Sequence, residues 1–202
     1  MARYNYTKMT QTHIIYIPGL GDGYDGLRRF FLLFWRVYGV KVEFVPMRWS
    51  DGGEFEPKMQ RIVDAAMRAH DAGHRVVLIG ESAGGSMVLN VYAEIPGYID
   101  RVVTLCGKNT RPDNVSPALY HRNESFRTSM RQVGDAVQQL TKAQRQQMTS
   151  IYPFYDPTVS IDETFIPDCR RARLWSVGHL ISILVGLSIG SFVVVREALR
   201  HN

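Results

Sequence analysis

Gly80-Glu81-Ser82-Ala83-Gly84 sets a serine between two glycines, directly after the apolar run 75–79 and directly before a helix-forming segment. A sharp strand-to-helix turn lifts a serine Oγ clear of the backbone, and flanking glycines remove the Cβ atoms that would collide as the chain reverses. A serine hydroxyl is a weak nucleophile at its free pKa, so it needs a histidine base and an acid to orient that base. Of six histidines, His13, His70 and His74 precede the serine, His121 lies in a polar insertion and His201 is at the C-terminus. His179 follows the last apolar run at Ser176-Val177-Gly178 and is the expected base. The acid belongs at the end of the preceding strand, where Asp156 stands; Asp162, Glu163 and Asp168 are alternatives farther along the same loop.

Acyl transfer also needs amide donors for an oxyanion. Ala83 follows the serine and supplies one. The glycine-rich loop Pro18-Gly19-Leu20-Gly21 follows the first apolar run, which points to the Leu20 amide as the second. That loop has neither the G-x-G-x-x-G spacing nor the Lys-Ser/Thr ending of a phosphate-binding loop. Trp49, Tyr120, Phe126, Val159 and Leu180 flank these loops and are candidate substrate-pocket residues.

The elements that must position these groups are legible as alternation. Strands are expected at 13–17, 40–45, 75–79, 101–105, 151–155 and 171–177, of which 13–17 and 75–79 read as buried and 151–155, interrupted by Pro153, suits an edge or a strand end; helix-period segments are expected at 24–38, 59–67, 83–95 and 180–199. In the first helix Leu27, Phe30, Phe31, Phe34, Trp35 and Tyr38 recur at helical spacing. Residues 109–147 differ, being polar and Gln-rich, and read as a helical insertion between two strands. They carry Arg122, Arg127, Arg131, Lys142 and Arg145 against Glu124 and Asp135, the pattern of a lid biased towards anionic or amphipathic substrates, or of a solvated helix face. The reading is one domain over 1–202: an open, mainly parallel six-stranded α/β sheet with helices on both faces.

With these residues in place the chain resembles a small member of the α/β-hydrolase superfamily. The resemblance rests on the Pro18-Gly19-Leu20-Gly21 loop, the Gly80-to-Gly85 turn, Asp156 and His179 in that family's order, and a cap-like insertion between two strands. The family's first two strands are missing, so a minimal form is implied. The resemblance implies a serine hydrolase that cleaves carboxylic esters or thioesters through an acyl-enzyme and needs no cofactor or metal. An amidase or peptidase would use the same triad, and a non-catalytic binding protein could use the same fold.

Composition sets the outer bounds. Of 202 residues, 45% are hydrophobic and 21% charged, an ordinary globular balance that excludes disordered and fibrous classes. The net charge of +5 permits weak attraction to anionic surfaces but specifies no nucleic-acid partner. Cys106 and Cys169 show no metal-ligand or disulfide spacing, so a reducing, cytoplasmic setting is expected, and the polar first residues lack the pattern of a signal peptide. The apolar stretch 180–195 is shorter than the roughly 20 residues a membrane helix needs, so a sheet-covering helix is expected and not a span.

Overall fold

A computed structural model describes residues 11–201; the reading of the first ten residues as polar and leaderless lies outside the described residues. Six strands form one parallel sheet in the order β2-β1-β3-β4-β5-β6: β1 (Thr12–Ile17), β2 (Lys41–Phe44), β3 (Arg75–Glu81), β4 (Arg101–Leu105), β5 (Met148–Tyr152) and β6 (Arg170–Arg173). β1 and β3 are entirely or almost entirely buried, as expected of central parallel strands covered on both sides.

Alternate side chains of the central strands feed two cores. Ile15, Ile17, Val76 and Leu78 enter one, closed by α2 (Phe55–Asp71), α3 (Ala83–Glu94) and α5 (Glu124–Gln139). Ile14, Tyr16, Val77 and Ile79 enter the other, closed by α1 (Asp25–Phe34), α7 (His179–Leu187) and α8 (Ser191–Leu199). The chain leaves β1 for β2 on one side and returns to β3 on the other, so the strand order reverses between β1 and β3. In open α/β sheets ligands bind outside the carboxyl ends of the strands at such a reversal.

β5 starts three residues before the expected 151 and ends at Tyr152, ahead of Pro153, and β6 ends at Arg173, short of the expected 177. Three further elements differ from the sequence reading. The expected helix over 180–199 is two, with α7 and α8 bent by 67°. The break falls at Ser188–Gly190, where Gly190 lies against Val185 and Leu174 and the Ser188 amide donates to the carbonyls of Leu184 and Val185. Among the described residues no single helix is long and apolar enough to cross a membrane; the bent pair reaches that composition only when both halves are counted together.

The insertion, whose polar sequence reads as one long helical stretch from about 118 to 148, is broken into three helices. Asn123 leaves the helical region at φ −138° and separates α4 (Pro117–Arg122) from α5, and a capping box at Thr141 and Gln144 starts α6 (Lys142–Gln146). Far from standing off as a lid, α5 puts Phe126, Met130 and Val133 into the core beside α2 and α3. Buried polar groups stitch it there: Ser86 Oγ lies 2.8 Å from Ser129 Oγ, and Asn90 Nδ2 donates to the Ser129 carbonyl at 3.0 Å.

Finally, of the aromatic and aliphatic series at helical spacing on α1 and the 3-10 turn after it, Leu27, Phe30, Phe34 and Tyr38 are exposed and Trp35 is buried. The inward face is instead Arg28, Leu32 and Trp35, because Arg28 reaches a buried carboxylate and Trp35 Nε1 donates to the Leu187 carbonyl at 3.0 Å.

Candidate active site

Ser82 sits between β3 and α3 with φ 48° and ψ −115°, a conformation that costs a non-glycine residue of order 1–3 kcal/mol unless the surroundings enforce it. They do so from several directions. The Ser82 amide donates to the Leu105 carbonyl, and the Ser82 carbonyl accepts from the amides of Gly85 and Lys108. The two flanking glycines are sterically required: a Cβ on Gly80 would lie 2.3 Å from the Gly84 carbonyl oxygen, and one on Gly84 would lie 2.4 Å from that of Ile17.

The three expected side chains meet. Ser82 Oγ is 2.8 Å from His179 Nε2, and His179 Nδ1 is 2.7 Å from Asp156 Oδ2. His179 opens α7, so the first turn of that helix fixes its backbone, and the imidazole is 8% exposed. Asp156 follows β5, and its second oxygen accepts from the amides of Thr158 (2.9 Å) and Val159 (3.0 Å). Burial pushes the Asp156 carboxyl up, but the His179 hydrogen bond and the two amides outweigh it and hold the group below its ordinary value. It is therefore ionised at neutral pH and fixes the Nδ1–H tautomer of the ring, leaving Nε2 to accept from Ser82.

The other carboxylates on this loop are engaged elsewhere. Glu163 is fully buried against Lys108 Nζ at 2.6 Å, and Asp168 pairs with Arg145 at 3.0 Å. Asp162 is exposed. Cys106, buried near Asp156, has its thiol pushed well up by burial and by the carboxylates of Asp156 and Glu81, so it stays protonated and inert.

The loop after β1 lies directly on the serine turn: a Cβ on Gly19 would approach Ser82 Cβ to 2.8 Å. The Leu20 backbone therefore borders the serine, and the Ala83 amide, first in α3, has no intrahelical acceptor. A buried charge network holds this loop. Glu81, 0% exposed, accepts from Tyr16 Oη at 2.6 Å, Arg28 Nη2 at 2.6 Å and the Gly19 amide at 3.3 Å. Arg28 in turn donates to the carbonyls of Leu20 (3.1 Å) and Gly21 (2.8 Å), holding the loop immediately after the Leu20 amide. Burial and the Glu81 carboxylate push the Tyr16 hydroxyl far up, so it remains a donor.

Glu81, Arg28 and Tyr16 escaped the sequence reading. The available signal was an acidic residue at the end of a fully apolar strand, which must find a cation or be neutral.

The pocket candidates separate. Trp49, Phe126 and Val159 are 1%, 2% and 4% exposed and offer no surface to a substrate. Trp49 Nε1 donates to the Pro18 carbonyl at 3.1 Å, and its ring packs edge-on to Phe126, so the pair supports the loop from behind. The Tyr120 hydroxyl donates to the Pro112 carbonyl. Leu180 lines a groove of about 180 Å³ between α1 and α7 whose floor is Arg28 and Glu81.

No family model and no curated protein matches the chain. Solved structures do. One reported for LipS and LipT, two metagenome-derived lipolytic enzymes, superposes with a TM-score of 0.65 at 12% identity over 94% of this chain and 92% of its own. Est1E from Butyrivibrio proteoclasticus gives 0.63 at 12% identity over 95% and 90%. MGS-MChE2, an α/β hydrolase from the metagenome of Mar Chica lagoon sediments in Morocco, gives 0.61 at 13% over 92% and 90%. The six-stranded parallel sheet and these matches together establish that the chain has the α/β-hydrolase fold.

Proposed function

We propose that the protein is a serine hydrolase acting on carboxylic esters or thioesters through an acyl-enzyme. The observation that carries this reading is the unbroken relay from Ser82 Oγ through His179 to Asp156, at 2.8 and 2.7 Å, on a serine held in a strained turn. Names of enzymes among the structural matches, lipolytic and esterase-like, support a hydrolase of this class.

In this reading Ser82 Oγ attacks the acyl carbon as its proton passes to His179 Nε2. Asp156 steadies the imidazolium, and the amides of Leu20 and Ala83 receive the oxyanion. Collapse expels the alcohol or thiol, which takes the proton from Nε2. Water then enters, loses a proton to the same nitrogen and releases the acid, restoring the serine. Every step is proton transfer and acyl transfer, so the reaction calls for a small acyl substrate and no cofactor. The free cysteines fit a reducing compartment, and a cytoplasmic setting is part of the proposal.

A fluorophosphonate probe tests the reading: it should label the protein once, and Ser82→Ala should remove both labelling and turnover of aryl esters. Labelling that survives in Ser82→Ala overturns the proposal.

A further inference from the structure

The outward surfaces of α1 and α7 are largely apolar where a solvated surface would be charged, and α8 adds Phe192 beside Arg196. Among the described residues, Leu27, Phe30 and Phe34 on α1 are 48%, 53% and 56% exposed, and Leu180, Leu184 and Phe192 on α7 and α8 are 68%, 43% and 56% exposed. α7 contains no acidic residue and no Lys or Arg at all. At the carboxyl end of the sheet the same apolar character continues in Trp175, 82% exposed, and Phe154, whose rings meet edge to face at 5.1 Å. So many exposed apolar side chains on one layer mark a docking surface.

Three observations fix its occupant. First, the exposed charges bordering it include several arginines: Arg29 lies over the Phe44 ring at 4.3 Å, Arg173 over the Phe154 ring at 5.0 Å, Arg36 is exposed in the 3-10 turn after α1, and Arg196 in the last turn of α8 is exposed while also pairing with Glu197 at 3.3 Å. Apolar and aromatic side chains rimmed by arginines match an anionic headgroup layer over hydrocarbon, whereas a second copy of the same face would oppose like charges. Second, the aromatic cluster at Phe154 and Trp175 shares its end of the sheet with the triad, since Phe154 precedes Asp156 by two residues and Trp175 precedes His179 by four. Third, the 180 Å³ groove between α1 and α7 opens within this face, with Leu27 and Leu184 on its walls; Glu81 on its floor adjoins Ser82, and Leu180 adjoins His179.

We infer that α1, α7 and α8 seat the protein on an anionic lipid surface, lying at headgroup depth, and that the groove draws an acyl chain from that surface towards Ser82. The docking stands on the surface alone; the use of the groove rests on the serine-hydrolase reading.

Flotation of the whole protein with phosphatidylcholine vesicles, with and without phosphatidylglycerol, tests it. The protein should float with the phosphatidylglycerol vesicles, bind pure phosphatidylcholine at least tenfold more weakly, and lose binding as salt rises. Ser82→Ala should float like the parent, so a failure of the chemistry is distinguishable from a failure of docking. The double substitution Phe30→Ser with Phe34→Ser, at exposed positions outside the groove, should reduce vesicle binding more than tenfold and leave hydrolysis of a soluble short-chain ester unchanged. Absence of binding to phosphatidylglycerol vesicles overturns the proposal, as does a double variant that floats like the parent. A concentration-dependent dimer that the double substitution dissociates would assign the face to a second copy and also overturns it.

Discussion

On one side of the sheet, α2 turns Gln60, Arg61, Asp64 and Arg68 to solvent and buries Ile62, Val63 and Ala66, while α5 turns out Arg131, Gln132 and Asp135 and buries Met130 and Val133. On the other side α1 buries an arginine and turns phenylalanines outward. Both layers cover the same parallel strands, and both inner faces are close-packed. The first layer is what folding alone demands, since each apolar residue removed from water contributes roughly 25 cal/mol per Å². The apolar outer surface of the second gains nothing from folding. Its composition therefore reports an occupant other than the core, and its inward arginine serves the loop beside Ser82.

The largest effects should fall on chemistry and leave both layers intact. Asp156→Asn keeps the shape but favours the wrong ring tautomer, and kcat should fall on the order of 10⁴ with an unchanged circular dichroism spectrum. The same measurement on Asp162→Asn or Asp168→Asn should show little change; a reversal of the two results would reassign the acid.

Stability sharpens the contrast between the layers. Leu78→Ala, at 0% exposure on the charged-helix side, should cost about 2–5 kcal/mol in denaturant unfolding, whereas Phe34→Ser on the apolar outer surface should cost less than about 0.5. Equal losses would mean that Phe34 is covered in the free protein.

Breaking the inward arginine should cost as much as opening the core at Leu78. Arg28→Met strands the Glu81 carboxylate without its cation, an expected loss of about 3–5 kcal/mol, and paired replacement of Arg28 and Glu81 by apolar residues should recover much of it. If the single and the double variants unfold alike, the pair does not hold the loop.

The smallest effect concerns His13, at the opposite end of β1 from the site, lowered to about 4 mainly by burial and then by Lys41. Its neutral form is the folded one. The unfolded chain binds the proton from about pH 6.5 downwards while the folded chain does not, so stability should decline as pH falls from about 6.5 to 4. His13→Gln should flatten that part of the melting-temperature profile; an unchanged slope would remove His13 as its source.

Much of this was legible from local pattern. The inner strands were legible as apolar runs because a parallel sheet buries both of their faces, and the serine turn was legible because its glycines answer a local collision. Asp156 and His179 could be placed by chain order and strand ends. What escaped was set by partners distant in sequence. The rotation of α1 depends on Glu81, 53 residues from Arg28. The bend between α7 and α8 depends on how Gly190 meets Leu174. Trp49, Phe126 and Val159 have the composition of a binding pocket, and only the Pro18 carbonyl and the neighbouring rings decide that Trp49 and Phe126 are scaffold.

The strained backbone at Ser82 has a consequence for biosynthesis. Its conformation is imposed by contacts from the ends of β1 and β4, and its hydrogen-bond partner His179, the proposed base, lies 97 residues farther along the chain. A nascent chain that has emerged as far as the serine carries an ordinary hydroxyl in a relaxed turn. On the serine-hydrolase proposal, reactivity requires the C-terminal helices to have closed over the sheet, so a partly made chain would not acylate itself on the metabolites around the ribosome. Covalent labelling of Ser82 thus doubles as a clock for completed folding.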